Sequence, residues 1–343
     1  MPDEQANPYD ADILLADYAL YDRNVDIVSA YQYLFTEVPD LAATVAHFER
    51  FPIAVTEDGT KVTPDFTVLF TDGHAYVGEI SNIPLPDQGV DKVCRQLLRY
   101  DQIRSVQGPD GLVEVQSVDV LQFVQMRHAS DAARRIFEDR LDDPDHQYKP
   151  TRRPVLIQYA HESDRYIFQI WSGTENGSFA DSERTPDYGK YGAELNMDPN
   201  AFGRLKVQYV FMNDRVKPLY MATVLWSKVF PSLHGAGVQE HPAEAQKLQQ
   251  TVNRQYGHVR VGDIRDAMGI LVAAGLAVPT SQDNWTVHRR VLRKAGADIH
   301  TLIAKRVEDG VRGKLAARER RVARQQSAEI SGQGSLFDPP SES

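Results

Sequence analysis

Two carboxylates bracket a pair of apolar runs in the segment Thr63-Pro-Asp-Phe-Thr-Val-Leu-Phe-Thr-Asp-Gly-His-Ala-Tyr-Val-Gly-Glu-Ile-Ser81: Asp65, directly after Pro64, and Glu79. Hydrophobic packing requires neither. Placed side by side they would repel and be costly to bury as anions, unless a cation such as Mg²⁺ or Mn²⁺ gathers their oxygens. The alternative is two solvated residues on an exposed strand face.

Whether they meet depends on strand register. Phe66 to Phe70 and Ala75 to Ile80 read as strands joined by a turn containing Asp72-Gly73. A two-residue loop of Asp72 and Gly73 would oppose Asp65 to Ile80 and send the carboxylates to opposite faces. A three-residue loop, with Thr71 and Asp72 in a type I turn and Gly73 in the left-handed position of a bulge, would set Asp65 across from Glu79. Glu79 and Ser81 then share a face, with the Ile80 carbonyl between them.

A helix from Gln88 to Ile103 is predicted after the break at Pro84-Leu-Pro86, and Lys92, Gln96 and Tyr100 recur along one of its faces. Pro-Asp, then a strand-borne Glu, then Gln96-Leu-Leu-Arg-Tyr100 on a helix resembles the PD-(D/E)XK nuclease superfamily, in particular its RecB-like branch with a Gln-x-x-x-Tyr motif. The resemblance covers about residues 25 to 130. It implies that Asp65 and Glu79 ligate the metal, that the Ile80 carbonyl is a further oxygen ligand, and that Gln96 and Tyr100 position substrate or water. It also implies a lysine two residues after Glu79, where this chain has Ser81. Serine can hydrogen-bond but carries no charge. Lys61 has the right strand parity but lies about 13 Å along the strand from Asp65. Lys92, one helical turn before Gln96, is the better substitute, set against an ordinary solvated side chain. A third acidic ligand, Glu37 or Glu49, is possible on this reading. Outside the motif, Gln96 and Tyr100 would be a surface pair on an amphipathic helix.

The elements around these residues read as helix over 25 to 50, strand over Phe51 to Glu57, the hairpin, the helix, and strand from Val113 to Gln125. A helix from Ser130 to Leu141 follows and ends in the acidic break Asp142-Asp-Pro-Asp-His-Gln. Val155 to Ala160 and Arg165 to Trp171 flank His161-Glu-Ser-Asp164 as a second hairpin, with His161 and Asp164 as turn residues, and Leu205 to Met212 reads as another strand. From 219 helices dominate: Leu219 to Val229, Ala243 to Arg254, and a segment from Asp263 to Ala277. A short strand, polar loop and strand close this part over Val278 to Val287. Residues 240 to 290 resemble a winged-helix domain, which would place a helix in a DNA groove. Many winged helices bind protein instead.

The fold class is therefore α/β: a restriction-endonuclease-like core of mixed sheet flanked by helices, a C-terminal winged-helix-like domain, and a disordered tail. The divisions are 1–145 (core), 146–218 (β-rich extension), 219–290 (winged-helix-like), 291–324 (basic helical) and 325–343 (tail). The 343-residue chain has a formal net charge of −10. Arg289 to Arg324 holds 12 Arg and Lys against 4 Asp and Glu, a net of +8. Arg289, Arg290, Arg293 and Lys294 are its candidate DNA contacts, with a solvated helix face as the alternative. In the polar tail, Gln333-Gly-Ser-Leu-Phe337 resembles the bacterial sliding-clamp-binding motif, with Gln333, Ser335, Leu336 and Phe337 at its constrained positions. One cysteine, Cys94, excludes a disulfide or zinc framework. With neither signal peptide nor membrane span, a cytoplasmic protein is expected.

Together these readings point to a metal-dependent DNA nuclease of repair, defence or mobile-element processing, recruited by the sliding clamp, with Mg²⁺ or Mn²⁺ as cofactor. The competing reading is a catalytically inactive, nuclease-like DNA-binding or regulatory protein.

Overall fold

The computed structural model describes residues 10–81, 87–171, 194–208, 210–235, 239–289 and 298–310. The chain divides into two compact units, one comprising Arg23–Asp214 and the other joining the residues before it to those from Arg215 onward. The helix α1 (Ala11–Glu37) contributes residues to both. In chain order there follow α2 (Pro39–Ala42), β1 (Val45–Arg50), β2 (Ala54–Thr56), β3 (Lys61–Val62), β4 (Phe66–Phe70), β5 (His74–Ile80), α3 (Asp87–Asp101), β6 (Ile103–Gly108), β7 (Gly111–Glu114) and β8 (Ser117–Gln125). Then come α4 (Met126–Ala133), which continues as a π-helical segment over Arg134–Leu141, and β9 (Val155–Glu162), β10 (Arg165–Ile170), β11 (Leu195–Met197) and α5 (Pro199–Gln208).

A seven-stranded mixed sheet with the order β1-β4-β5-β8-β9-β10-β11 organises the Arg23–Asp214 unit. The β5–β8 and β8–β9 pairs are parallel and the others antiparallel. A smaller sheet, β3-β2-β6-β7, completes this unit. The strands of the large sheet alternate, and each face has its own cover. One face buries Phe66, Tyr76, Phe123 and Phe168 against α1, where the Tyr31 ring lies 5.6 Å from Phe66, 4.6 Å from Phe123 and 5.3 Å from Phe168. The other buries Ala75, Val77, Val118, Val120 and Val124 against Val90, Val93, Cys94 and Leu97 of α3 and the alanines of α4. Helices on both faces of a mixed sheet make the unit α/β.

Several elements differ from the sequence reading. Residues 45–50, expected as helix, form strand β1, because Phe48 stacks on Phe66 at 5.4 Å and Arg50 reaches Ser29 and Gln32 on α1. Phe51 to Glu57, expected as the first strand, opens on a left-handed Phe51 (φ 52°) that turns the chain out of the large sheet, and only Ala54–Thr56 is extended, in the second sheet. The run Val113 to Gln125 divides into β7 and β8, which belong to different sheets. Leu205 to Met212, expected as strand, is helical through Gln208: Asp198 accepts the N–H of Asn200 at the helix start, and Phe202 and Leu205 are buried at helical spacing. The second hairpin forms with a tighter turn than expected: His161 and Glu162, read as part of the turn, pair in the strands with Tyr166 and Arg165, which leaves Ser163 and Asp164, both at positive φ (48° and 60°), as a two-residue turn.

The other unit contains α6 (Pro218–Val224), a π-helical segment over Leu225–Val229, α7 (Phe230–His234), β12 (Glu240–Glu244), α8 (Ala245–Gln255), α9 (Val261–Ala273), β13 (Ala277–Ser281) and β14 (Asn284–His288). A further helix runs over 299–310. The strands form an antiparallel sheet in the order β12-β14-β13. Among the described residues no helix is long and apolar enough to cross a membrane.

Gly78 lies directly opposite Phe66 in the β4–β5 pair, and a Cβ at that position would overlap the Phe66 ring. Gly78→Ala is expected to destabilise the protein by about 1–3 kcal/mol through overpacking. Chemical denaturation would measure the loss, and adding Phe66→Leu should restore part of it.

Candidate functional site

The β4–β5 hairpin decides which residues meet. It pairs Phe66 with Gly78, Thr67 with Val77, Val68 with Tyr76 and Leu69 with Ala75, the register of the three-residue loop. Gly73 takes φ 82° and donates its N–H to the Phe70 carbonyl at 3.0 Å, and Asp72 accepts the N–H of His74 at 3.0 Å. Just before β4, the Asp65 N–H donates to Gly78 O and the Asp65 carbonyl accepts from the Phe51 N–H, both at 3.0 Å. Asp65 and Glu79 therefore project from the same face. The Asp65 Oδ2 accepts the Ile80 backbone N–H at 2.7 Å.

The helix α3 covers that face and brings two further groups to Glu79. Gln96 Nε2 donates to Glu79 Oε1 at 2.7 Å and Tyr100 OH donates to Glu79 Oε2 at 3.0 Å. Gln96 Nε2 also donates to the Tyr100 hydroxyl at 2.7 Å. Tyr100 is buried, so the pair is no exposed surface feature. From the neighbouring strand, Gln122 lies in register with Glu79 and donates Nε2 to the Glu79 carbonyl at 3.1 Å. Its Oε1 is buried without a partner. Gln122 was not anticipated from sequence, because an interior Gln in a Val-rich strand carries no motif.

The electrostatics follow from depth. Burial pushes the Asp65 carboxyl up to about 7, against the Ile80 N–H that favours its charged form and together with the negative charge of Asp214. Burial likewise holds Glu79 well above the usual carboxylate range, reinforced by the charges of Asp65 and Asp214 and opposed by the donors Tyr100 and Gln96. Burial and the Glu79 charge keep Tyr100 protonated, hence a donor. Asp214 is an acidic residue missed by sequence reasoning; it is exposed, in a polar stretch after α5, and nothing in its local sequence marks it.

Lysine is not part of the cluster. Lys92 is exposed, and no hydrogen bond or ion pair joins it to Asp65 or Glu79. Lys61 sits in β3, paired with Val55 in the second sheet. Ser81 is buried and donates its backbone N–H to Phe123 O. Of the acidic candidates, Glu37 pairs with Arg204 at 3.4 Å and Glu49 with His47 at 2.9 Å. Among the described residues no group of three or more His, Cys, Asp and Glu side chains is arranged to hold a metal ion.

The candidate DNA contacts fall at an edge of the described chain. Arg289 donates Nη1 to Gly235 O at 3.4 Å, and partial burial lowers its guanidinium below the ordinary value. Arg290, Arg293, Lys294 and the peptide bearing Gln333, Ser335, Leu336 and Phe337 lie outside the described residues. On α9 the one arginine, Arg265, is held by both oxygens of Asp283 at 2.8 Å. No family model, curated protein or solved structure matches the chain.

Because the folded pKa of Asp65 lies above its ordinary value of 3.8, its protonation favours folding at low pH. That contribution is lost as pH rises from about 4 through about 7. With divalent metal chelated, wild-type stability should fall across this window by about 2–4 kcal/mol, and Asp65→Asn should flatten the slope. Denaturant unfolding at a series of pH values measures both.

Proposed function

We propose that the protein is a metal-dependent phosphodiesterase acting on DNA, with its centre at Asp65 and Glu79. The observation that carries this reading is a pair of half-buried carboxylates on one face, each raised in pKa by desolvation and neither ion-paired among the described residues. Packing gains nothing from such a pair. The oxygens of Asp65 and Glu79, with the Ile80 carbonyl, form a hard-ligand set suited to Mg²⁺ or Mn²⁺. Support comes also from the succession α1, β1, the β4–β5 hairpin, α3 and the parallel strand β8, which is the order implied by the PD-(D/E)XK resemblance.

In this reading Asp65 and Glu79 hold the ion, and the Ile80 N–H fixes the Asp65 rotamer. Gln96 and Tyr100 fix the Glu79 carboxylate and offer N–H and O–H donors at the edge of the site. When bound, the ion supplies Lewis-acid polarisation of the scissile phosphate and lowers the pKa of a bound water. Lys92 is the candidate to orient the nucleophile or stabilise developing charge, reaching in from its exposed position on α3. The β12–α8–α9–β13–β14 segment would act as a winged helix. Since α9 carries Asp263 and Asp266 beside its committed Arg265, phosphate attraction falls to the basic stretch from Arg289 onward. The Gln333 to Phe337 peptide would dock on a sliding clamp.

One observation favours the second reading, a DNA-binding or regulatory protein without catalysis: Ser81 is buried where the resembled family has lysine, and among the described residues no ammonium joins the carboxylates. Cleavage of single-stranded, duplex and branched DNA with Mg²⁺ or Mn²⁺ separates the two. Asp65→Ala and Glu79→Ala should each lower the rate at least about 10²-fold, and Lys92→Ala by about 10²–10³-fold. Equal activity in all variants would remove the site assignment, while an inert wild type that still binds DNA without metal would establish the second reading.

Deleting 333–337 should abolish association with a purified bacterial clamp in a pull-down or by surface plasmon resonance. Unchanged association would end the docking proposal.

A further inference from the structure

A second polar site lies on the opposite face of the large sheet. Glu79 and Gln122 share the α3 face, whereas Gln125, three residues on along β8, projects to the other side and lies in register with Tyr159 of β9. There β8 runs directly into α4, whose N-cap residue Gln125 makes no capping bond with its side chain, so the first amides of the helix are left to other partners. A cleft of about 420 Å³ opens at this point, lined by Arg23 of α1, Gln125, Arg127 in the first turn of α4, Tyr159, and His161 and Glu162 at the end of β9.

Its donors are unspent. Tyr159 is 1% exposed, yet its hydroxyl has no hydrogen-bond partner. The Gln125 side chain is close to that oxygen without forming a bond of good geometry. Burial raises the phenol's pKa while the charges of Arg23 and Arg127 oppose the rise, and both arginines line the same cleft as the hydroxyl. Among the described residues neither arginine makes an ion pair. Other buried atoms of this unit also lack a partner, among them Gln122 Oε1 and Tyr148 OH; Tyr159 differs in lining an open cleft together with two arginines. A buried donor without an acceptor is costly, so its persistence beside a helix N-terminus and two guanidiniums that make no ion pair among the described residues marks a place where an anion supplies the missing acceptors.

We infer that this cleft binds a phosphate group. A tetrahedral oxyanion offers enough acceptor oxygens for two guanidiniums, one phenol and the α4 amides, whereas a carboxylate offers two. The cleft is much larger than a phosphate ion, so the group is carried on a larger molecule. Glu162 on the rim, the one carboxylate in the lining, stands against a densely charged polyphosphate and favours a single phosphoryl group. The site is independent of the carboxylate centre and does not require that centre to be catalytic.

The test is titration calorimetry on the full chain, without divalent metal, using inorganic phosphate and a short single-stranded oligodeoxynucleotide with either a 5′-phosphate or a 5′-hydroxyl. Arg23→Gln, Arg127→Ala and Tyr159→Phe should each weaken phosphate binding by about tenfold. Tyr159→Phe should do so with an unchanged or higher melting temperature, because the hydroxyl it removes makes no bond in the free protein. A 5′-phosphorylated strand that outcompetes both phosphate and the 5′-hydroxyl strand identifies a nucleic-acid end as the carrier. Phosphate alone binding as tightly as that strand identifies a small phosphorylated molecule. Absence of phosphate binding to the wild type, or binding unchanged in all three variants, overturns the site.

Discussion

The register of one hairpin is the constraint on which the carboxylate site depends. With Gly73 in the left-handed position, the loop spans three residues, Phe66 opposes Gly78, and Asp65 and Glu79 emerge on the same face. A slip by one residue would set Phe66 against Glu79 and Asp65 against Ile80, separating the carboxylates across the sheet. Two local features exclude that slip. Gly73 supplies the backbone conformation the loop needs, and Gly78 supplies the space that the Phe66 ring occupies. The aromatic layer on the far face thereby holds the carboxylates on the near one.

Given that register, the balance of forces at the site is narrow. Two unit charges about 4 Å apart repel by about 4 kcal/mol at a near-surface effective dielectric. Hydrogen bonds to charged groups return about 1.5–3 kcal/mol each, and here there are three: Ile80 N–H on Asp65, and Gln96 and Tyr100 on Glu79. These can offset the repulsion but leave desolvation uncompensated, which is why both carboxyls are raised. The site can relieve that burden with a proton or with a cation. Under the proposed reading the two would compete for the same oxygens, so pH and metal concentration together would set the balance.

The parts of this arrangement that were legible in the sequence are local ones. Asp72-Gly73 between apolar runs marks the hairpin, the four-residue spacing of Gln96 and Tyr100 marks one helical face, and the polar run ending in Ser163-Asp164 marks the second reversal, though not its length. What escaped depended on partners distant in sequence. Residues 45–50 lack a distinctive strand pattern, and become strand because β4 offers an edge and Phe66 a ring to stack on. Leu205 to Met212 alternates well enough to read as strand, but Asp198-Pro199 had already started a helix. Gln122 and Asp214 belong to the site only through folding, and Tyr159 looks like any aromatic of a buried strand until its unpaired hydroxyl is seen. The lysine question stayed open for a related reason: a flexible exposed side chain such as Lys92 has no single position that spacing can specify.

The parallel pairing of β5 with β8 has a kinetic consequence. The hairpin can form from neighbours in sequence, but Gln122 reaches the Glu79 backbone across 43 residues, and that contact exists only after a long loop closes. Loop-closure entropy therefore favours the two acids meeting before their supporting wall closes. Substitutions at Leu121 or Phe123, whose side chains lie on the far face, are expected to hinder that closure and so to leave more molecules with an unfinished pocket. Such molecules would lack the wall around the carboxylates although both acids are present. Slow recovery after refolding would tell them apart from a chemical defect.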